Sequence, residues 1–361
     1  MITMKQLYSK YFPTPQFLAM SSYSLDISDQ SIKYGQLNLT KNGLKLGTYG
    51  TVKIPKGVIE SGKILIKDQL VKVLKELKKK ENIKFVRVAL PEEQVYLFTL
   101  SLPKIEGSDL REMILLQLED HVPLLAIDTL FDYDILSEKD NSFFIEVVAI
   151  AAETINSYMN AFKESDLVPV AFELEAQSIA ESVIPRGEKN TVMIVDFGEA
   201  RTGISIAVDG KVIFTSTFDM GGNVFTEMIA KNYGISFSEA EDKKIFFSGN
   251  SSDSGEDLFP ITLNVMAVLR DEINKHFSYW TTHQDENGKT RDPISRIILC
   301  GGGANIPGLS LYLSASFKTK VEYAKAWVNI SSMEESIPNM TQRESLSYVT
   351  MLGLALGDYV V

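Results

Sequence analysis

The chain has 361 residues, 45% of them hydrophobic and 23% charged, with 36 Lys and Arg against 47 Asp and Glu for a net charge of -11. That length exceeds one compact core and predicts two or more domains, and the acidic balance argues against nucleic acid as the main partner, because phosphate neutralisation needs a basic surface. The single cysteine, Cys300, excludes an intrachain disulfide and suits a reducing compartment.

Residues 1–20 mix aromatics (Tyr8, Tyr11, Phe12, Phe17) with Pro13 and Pro15 and read as a surface-lying arm. They lack the apolar centre of a secretory signal. No run approaches about 18 uninterrupted apolar residues, so no transmembrane helix is predicted. The expectation is a cytoplasmic protein. From Tyr23 to Lys53 the pattern gives three strands separated by polar turns, with Lys41-Asn42-Gly43 as a hairpin signal. Residues 68–81 predict a helix, with Leu70, Val73, Leu74 and Leu77 on one face and Lys78-Lys79-Lys80 complementing the dipole at its end.

Residues 84–167 read as a separate α+β unit: strands at Phe85–Leu90 and Gln94–Leu102, a helix capped by Ser108 and ending near His121, strands at Phe131–Leu136 and Phe143–Ala152, and a helix over 153–163. A strand at Val168–Phe172 and a helix from Glu175 to Val183 follow. The polar stretch Pro185 to Asn190 is the clearest linker. The strands at 191–197, 202–208 and 211–217 then echo the opening of 23–53. The expected division is an arm (1–21), a first lobe (22–83) interrupted by the insert (84–167) and resumed at 168–187, a second lobe (188–342, with a smaller subdomain at 220–290), and a closing helix on the first lobe (343–361).

Two acid-bearing loops share one design. Leu25-Asp26-Ile27-Ser28-Asp29-Gln30-Ser31-Ile32-Lys33 and Ile194-Val195-Asp196-Phe197-Gly198-Glu199-Ala200-Arg201-Thr202-Gly203-Ile204 each set an Asp at the end of an apolar run, before a short polar turn and a second apolar run. A hairpin of this kind presents backbone N–H groups beside a carboxylate. Two of them facing each other could hold nucleotide phosphates, with the Asp pair steering magnesium and its waters. Gly301-Gly302-Gly303 follows a strand and precedes a helix, which lets backbone approach a ligand closely. It is neither a Walker A sequence nor a dinucleotide fingerprint. Gly221-Gly222 precedes another helix, and Glu241 and Lys244 lie three apart on one helix face, as a surface ion pair or as flanks for a ribose and base. The three histidines have no metal-ligand spacing.

In order and spacing these features resemble the actin-like ATPase superfamily. Asp26 to Lys33 resembles its first phosphate loop, Asp196 to Thr202 its second, and Gly301 to Gly303 its adenosine loop. The closer resemblance, over roughly 22–359, is to the PilM family of type IV pilus assembly, related to the division protein FtsA. It rests on Leu118-Glu119 with Val122-Pro123 and Asp132-Tyr133, on Gly221-Gly222 to Thr226 with Ala240-Glu241 to Lys244, and on Ile297 to Ala304 with Gly308-Leu309. The resemblance implies a two-lobed α/β actin-like (ribonuclease H-like) ATPase fold with a small α+β subdomain inserted in the first lobe.

It also implies ATP and Mg2+ as cofactors, with Asp26 and Asp196 at the metal and phosphates and Ser28 and Asp29 in the first loop. Ser31, Lys33, Gly198 and Thr202 would support the phosphate loops. Glu241 and Lys244 would hold ribose and adenine, and Gly221, Gly222, Gly301, Gly302 and Gly303 would pack against the nucleotide. The implied partner is the N-terminal cytoplasmic tail of a PilN-like bitopic inner-membrane protein, bound on the insert, with membrane contact only through that partner and self-association as in filament-forming relatives. Ser28 stands where the family usually has Gly, Asp29 where it has a hydroxyl residue, and Glu199 at a usually small position. The added carboxylates near the phosphate site lower the expected nucleotide affinity and disfavour efficient hydrolysis. An FtsA-like filament-forming ATPase, a scaffold that has lost nucleotide and a sugar kinase on the same fold are the alternatives.

Overall fold

Two five-stranded sheets with the same strand topology organise the computed structural model, which describes residues 21–40, 43–105, 109–139, 141–249, 258–284, 290–330 and 338–359. The arm expected at 1–20 and the expected cap Ser108 lie outside these residues, as do Lys41 and Asn42. In the first sheet, β1 (Tyr23–Ile27), β2 (Ser31–Thr40) and β3 (Gly43–Lys53) form an antiparallel meander. The short pair β4 (Ile59–Glu60) and β5 (Lys63–Ile64) and helix α1 (Lys67–Glu81) come next. Then β6 (Phe85–Leu90) joins β1 in parallel. In α1, Leu70, Leu74 and Leu77 recur at helical spacing and are buried against the sheet, at about 2 kcal/mol of transfer free energy each. The helix stops at Asn82, whose φ of 53° is left-handed.

The insert is built from β7 (Val95–Pro103), helix α2 (Leu110–His121), β8 (Thr129–Lys139) and β9 (Ser142–Ala151), with sheet order β7-β9-β8. Asp109, not Ser108, caps α2 by accepting from Arg111 N at 2.9 Å. One face of this sheet packs on α2 through Leu100, Leu102, Ile114, Ile145 and Val147. On the other, Val95 and Ile150 join the large core shared with the second lobe. Helix α3 (Ala152–Glu164) returns to pack beside α1, and β10 (Val168–Leu174) pairs in parallel with β6. The sheet pairings therefore place Phe85–Leu90 in the first lobe rather than in the insert expected at 84–167. The α3 side chains Tyr158, Ala161 and Phe162 also belong to the first-lobe core.

Helix α4 (Glu175–Val183) leads to β11 (Val192–Phe197), β12 (Thr202–Val208) and β13 (Lys211–Phe218), again an antiparallel meander. A helical layer follows: α5 (Gly222–Tyr233), α6 (Phe237–Gly249) and α7 (Phe259–Thr282). Then β14 (Arg296–Cys300), α8 (Leu309–Phe317) and β15 (Lys320–Tyr323) complete the sheet, ordered β13-β12-β11-β14-β15. The first sheet, read as β3-β2-β1-β6-β10, repeats that order step for step. Val192 to Val195 is an unbroken apolar run and wholly buried, as a strand covered on both faces must be.

The expected closing helix is three pieces: α9 (Gln342–Ser345), a 3-10 turn at Leu346–Tyr348, and α10 (Val349–Leu356). It packs on β1, β2 and β6 and against α4. A Cβ on Gly353 would collide with the Ser178 carbonyl, so glycine permits this helix crossing. Just beyond α10, the Asp358 carboxylate accepts from Ser22 N at 3.1 Å and from Arg87 Nε at 2.7 Å, while Arg87 also pairs with Glu173. Among the described residues, no helix is long and apolar enough to cross a membrane.

Candidate functional site

The two acid-bearing loops occupy equivalent places in the two sheets. In the first, β1 and β2 pair Asp26 with Lys33 and Ile27 with Ile32. The turn closes with Ser28 N donating to the Ser31 carbonyl at 2.9 Å. In the second, β11 and β12 pair Asp196 with Gly203 and Phe197 with Thr202. Gly198 N donates to the Arg201 carbonyl, also at 2.9 Å. Each Asp thus stands two residues ahead of the closing hydrogen bond, on the last stretch of a central strand.

The first loop's carboxylate meets an ammonium, and the second loop's is near enough to influence it. Lys33 Nζ lies 3.4 Å from Asp26 Oδ2. Burial would lower the Lys33 pKa, but Asp26, Asp196 and Glu175 outweigh it and hold the group above its ordinary value. Asp196 is pushed up to about 6, by burial first and by Asp26, with Lys33 pulling the other way. Glu175, the first residue of α4, is raised well above the carboxylate range by burial and by Asp26, Asp196, Glu93 and Glu92. Glu92, in the single turn Glu92–Gln94, is pushed up to about 7 by burial. One cation among several half-buried acids favours protonation of the least solvated ones. It is also an environment in which a carboxyl can hold or take up a proton near neutrality.

Bare backbone packs against the second loop. A Cβ on Gly222 would have Lys244 Nζ at 3.5 Å, the Gly198 carbonyl at 3.7 Å and Gly303 Cα at 3.8 Å as its nearest neighbours. A Cβ on Gly303 would meet the Phe197 carbonyl at 2.8 Å, and one on Gly221 would run into the Glu199 carbonyl. Gly301 has a φ of 83°, which a side chain would resist. Beside this cradle, Lys244 Nζ donates to Gly222 O at 3.1 Å and Thr226 Oγ1 at 2.8 Å, and pairs with Glu241 at 2.7 Å. Glu241 Oε2 accepts from Thr226 Oγ1 at 2.5 Å. The pair is thus a fixed polar cluster rather than a loose surface contact.

These residues fit an adenine nucleotide. The glycines let the strand-end and helix-start backbones close tightly on the second loop, the Glu241–Lys244 cluster offers donors and acceptors at ribose scale, and Lys33 supplies positive charge beside the first loop. Among the described residues, no group of three or more His, Cys, Asp and Glu is placed to hold a metal directly. Magnesium would therefore be held largely through phosphate oxygens and water, oriented by Asp26 and Asp196.

Not every expected residue faces the cleft. Thr202 is fully buried and donates to the Met220 carbonyl at 2.5 Å, so its hydroxyl supports the sheet. Ser28 and Ser31 spend their hydroxyls on each other across the turn, at 3.2 Å. Asp29 turns toward Ser61 N (3.0 Å), Gly62 N (3.1 Å) and Arg201 Nη2 (3.1 Å). Glu199 is exposed. Glu175, Glu92, Glu93 and Arg201 were not anticipated. Glu175 had a sequence signal, as an acid opening the helix that follows the returning strand. The other three are brought in by tertiary packing.

A family model described as "Type IV pilus assembly protein PilM" matches residues 24–359. The chain is similar to the cell division protein FtsA of Buchnera aphidicola subsp. Acyrthosiphon pisum (strain APS), 25% identical in an alignment of 197 residues that takes in 48% of this chain and 46% of that protein. The match thus spans about half the length of that relative. Among solved structures, a "PilM-PilN type IV pilus biogenesis complex" superposes with TM-score 0.77 at 18% identity, over 95% of this chain and all of the other. The ethanolamine utilization protein EutJ from Carboxydothermus hydrogenoformans gives 0.55 at 16% identity, over 96% and 90%. MreB 5 of Spiroplasma citri bound to AMPPNP gives 0.52 at 16% identity, over 92% and 93%. At these identities the likenesses establish the actin-like fold.

Proposed function

The chain belongs to the PilM family of type IV pilus assembly proteins, and on that premise we propose that it is a nucleotide-responsive platform of the pilus assembly machinery, working at the cytoplasmic face of the inner membrane. The observation that carries this reading is that equivalent hairpins of two repeated sheets each end a central strand in an aspartate, Asp26 beside Lys33 at 3.4 Å and Asp196 at the matching place in the second sheet. ATP is the proposed nucleotide. Lys33 would meet its phosphates, Asp26 and Asp196 would orient a magnesium ion, and Glu241, Lys244 and the backbone at Gly222 and Gly303 would hold its nucleoside. Bound magnesium would neutralise phosphate charge in a cleft that is otherwise acidic. The chain's own part is to bind and orient the nucleotide and to hold a proton at Glu175, whose pKa burial and the neighbouring acids raise. The reading is of binding that sets affinity for a partner, with hydrolysis secondary.

The proposed partner is the cytoplasmic tail of a PilN-like bitopic membrane protein, by likeness to the PilM–PilN complex. Two features of the insert support it. Strand β8 is an outer strand of its sheet, open to backbone pairing with an added strand. Close by, Leu116 and Ile127 are 84% and 90% exposed, with Leu125 and Leu130 also uncovered, as expected of a recognition surface.

Titration with a fluorescent ATP analogue, with and without magnesium, tests the nucleotide half. Magnesium-dependent saturable binding that Lys33→Met weakens about a hundredfold is the expected result, and no binding under either condition leaves a pure scaffold. Capture of an immobilised tail peptide tests the other half: Leu116→Asp with Ile127→Asp should lose it, and undiminished capture rejects the insert as the docking surface.

A further inference from the structure

Arg201 closes the second loop, yet its side chain leaves its own lobe. Nη2 lies 3.1 Å from Asp29 Oδ2 in the first loop and 2.8 Å from Ser61 Oγ. Nη1 pairs with Glu93, in the turn that leads directly into β7 and so into the insert. Nε lies 3.1 Å from Asp219, which is almost fully exposed. Arg201, Asp29 and Glu93 are each only about a fifth exposed, at 19%, 19% and 22%. Burial would lower the Arg201 pKa, but Glu93, Asp29 and Asp219 hold it raised and the group cationic. One planar cation therefore bridges both loops and the root of the insert.

The same turn is tied to the first lobe and to α4. Gln94 Nε2 donates to the Ser61 carbonyl at 2.7 Å, and Glu92 Oε2 accepts from Ala176 N at 3.3 Å. The Glu93–Arg201 contact is the link that adds the second lobe's loop to this junction. Resting on the nucleotide reading above, we propose that Arg201 is a phosphate reader. With the cleft free of nucleotide it pins the root of the insert through Glu93. When a nucleoside triphosphate lies between the loops, its terminal phosphate takes the guanidinium and the root is released. A phosphate dianion offers a guanidinium a bidentate partner of higher charge than a single carboxylate. Asp29 cannot keep its place beside Arg201 once phosphate charge arrives without repulsion. Phosphate occupancy thereby reaches the subdomain that carries the proposed tail-binding surface, through one side chain and no long-range distortion.

Hydrogen exchange on the full chain, free and with Mg–AMPPNP or Mg–ADP, tests this, alongside nucleotide affinity by calorimetry. In the wild type, Mg–AMPPNP should raise exchange over residues 92–103 about tenfold, the scale of coupling expected of one broken half-buried pair, and Mg–ADP should not. Glu93→Gln, which keeps the side chain's shape, should exchange fast there without nucleotide and show no further change on adding it. Arg201→Glu combined with Glu93→Arg should restore slow exchange in the free protein but not the response to AMPPNP. Tight AMPPNP binding with unchanged exchange over 92–103, or a Glu93→Gln profile identical to wild type, overturns this inference alone. A wild-type protein that binds no AMPPNP overturns it together with the nucleotide reading.

Discussion

Side chains bind the first loop to its own lobe, whereas the second is docked on its own lobe by backbone contacts at Gly198 and Glu199 and sends only the Arg201 side chain across to the first. In the first, Asp29 reaches the amides of Ser61 and Gly62, Ser28 and Ser31 bond across the turn, and Lys33 pairs with Asp26. In the second, Gly222 N donates to Gly198 O and Asn223 N to Glu199 O, both at 2.9 Å, with Gly221 packed directly on the Glu199 carbonyl. One hairpin geometry is therefore reached twice by different chemistry. The first copy should respond to charge, salt and pH, and the second to volume.

The sharpest way to break that contrast is a single methyl group. Gly221→Ala drives a Cβ into the Glu199 carbonyl and should cost about 3 kcal/mol of stability, as overpacking does, seen as a lowered melting temperature that salt does not change. Lys33→Met, by contrast, should fold but lose nucleotide affinity about a hundredfold, the effect of leaving several acids beside a phosphate with no cation. An affinity within threefold of wild type would remove Lys33 from the phosphate site.

Asp196 gives a pH signature. Its pKa of about 6 in the fold lies above the ordinary value of about 3.9. Between those two pH values the folded state holds more proton than the unfolded one. This group's contribution to stability therefore falls as pH rises from about 4 to about 6 and is flat above. Asp196→Asn should flatten that segment of the stability profile, read by denaturant unfolding at several pH values. If magnesium and phosphate bind the ionised form, wild-type affinity should rise through pH 6 with proton release, and Asp196→Asn should abolish the release.

Asp29→Ser should strengthen nucleotide binding about fivefold at low salt and less at high salt, since it removes one screened charge near the phosphates. The smallest effect belongs to Glu199→Gln: an exposed carboxylate on a backbone-held loop should change affinity by less than about twofold.

Much of this was legible in the chain itself. An apolar run, an acid, a polar turn and a second apolar run recur at 26 and 196, and the strand-turn-strand echo located the repeated sheets. Thr202 shares a strand face with Ile204 and Ile206, but Ser205 and Ala207 on the other face are buried too, so alternation along this strand carries no mark of which hydroxyl meets the cleft. The Phe85–Leu90 run reads as part of the insert because a short buried apolar strand carries no mark of which sheet it joins, and its parallel pairing with β1 and β10 puts it in the first lobe. Arg201, Glu93 and Asp29 are separated by 108 and 172 residues. No local pattern announces a contact that exists only once two lobes face each other.

The Asp358 clasp on Ser22 and Arg87 has a practical consequence. It brings positions 22 and 358 together at one corner of the first lobe, remote in sequence yet joined beside β1 and to Arg87 of β6. Severing it with Asp358→Ala should therefore loosen the joint between the first strand and the last helix without touching the two loops, read as a lowered melting temperature with nucleotide affinity unchanged.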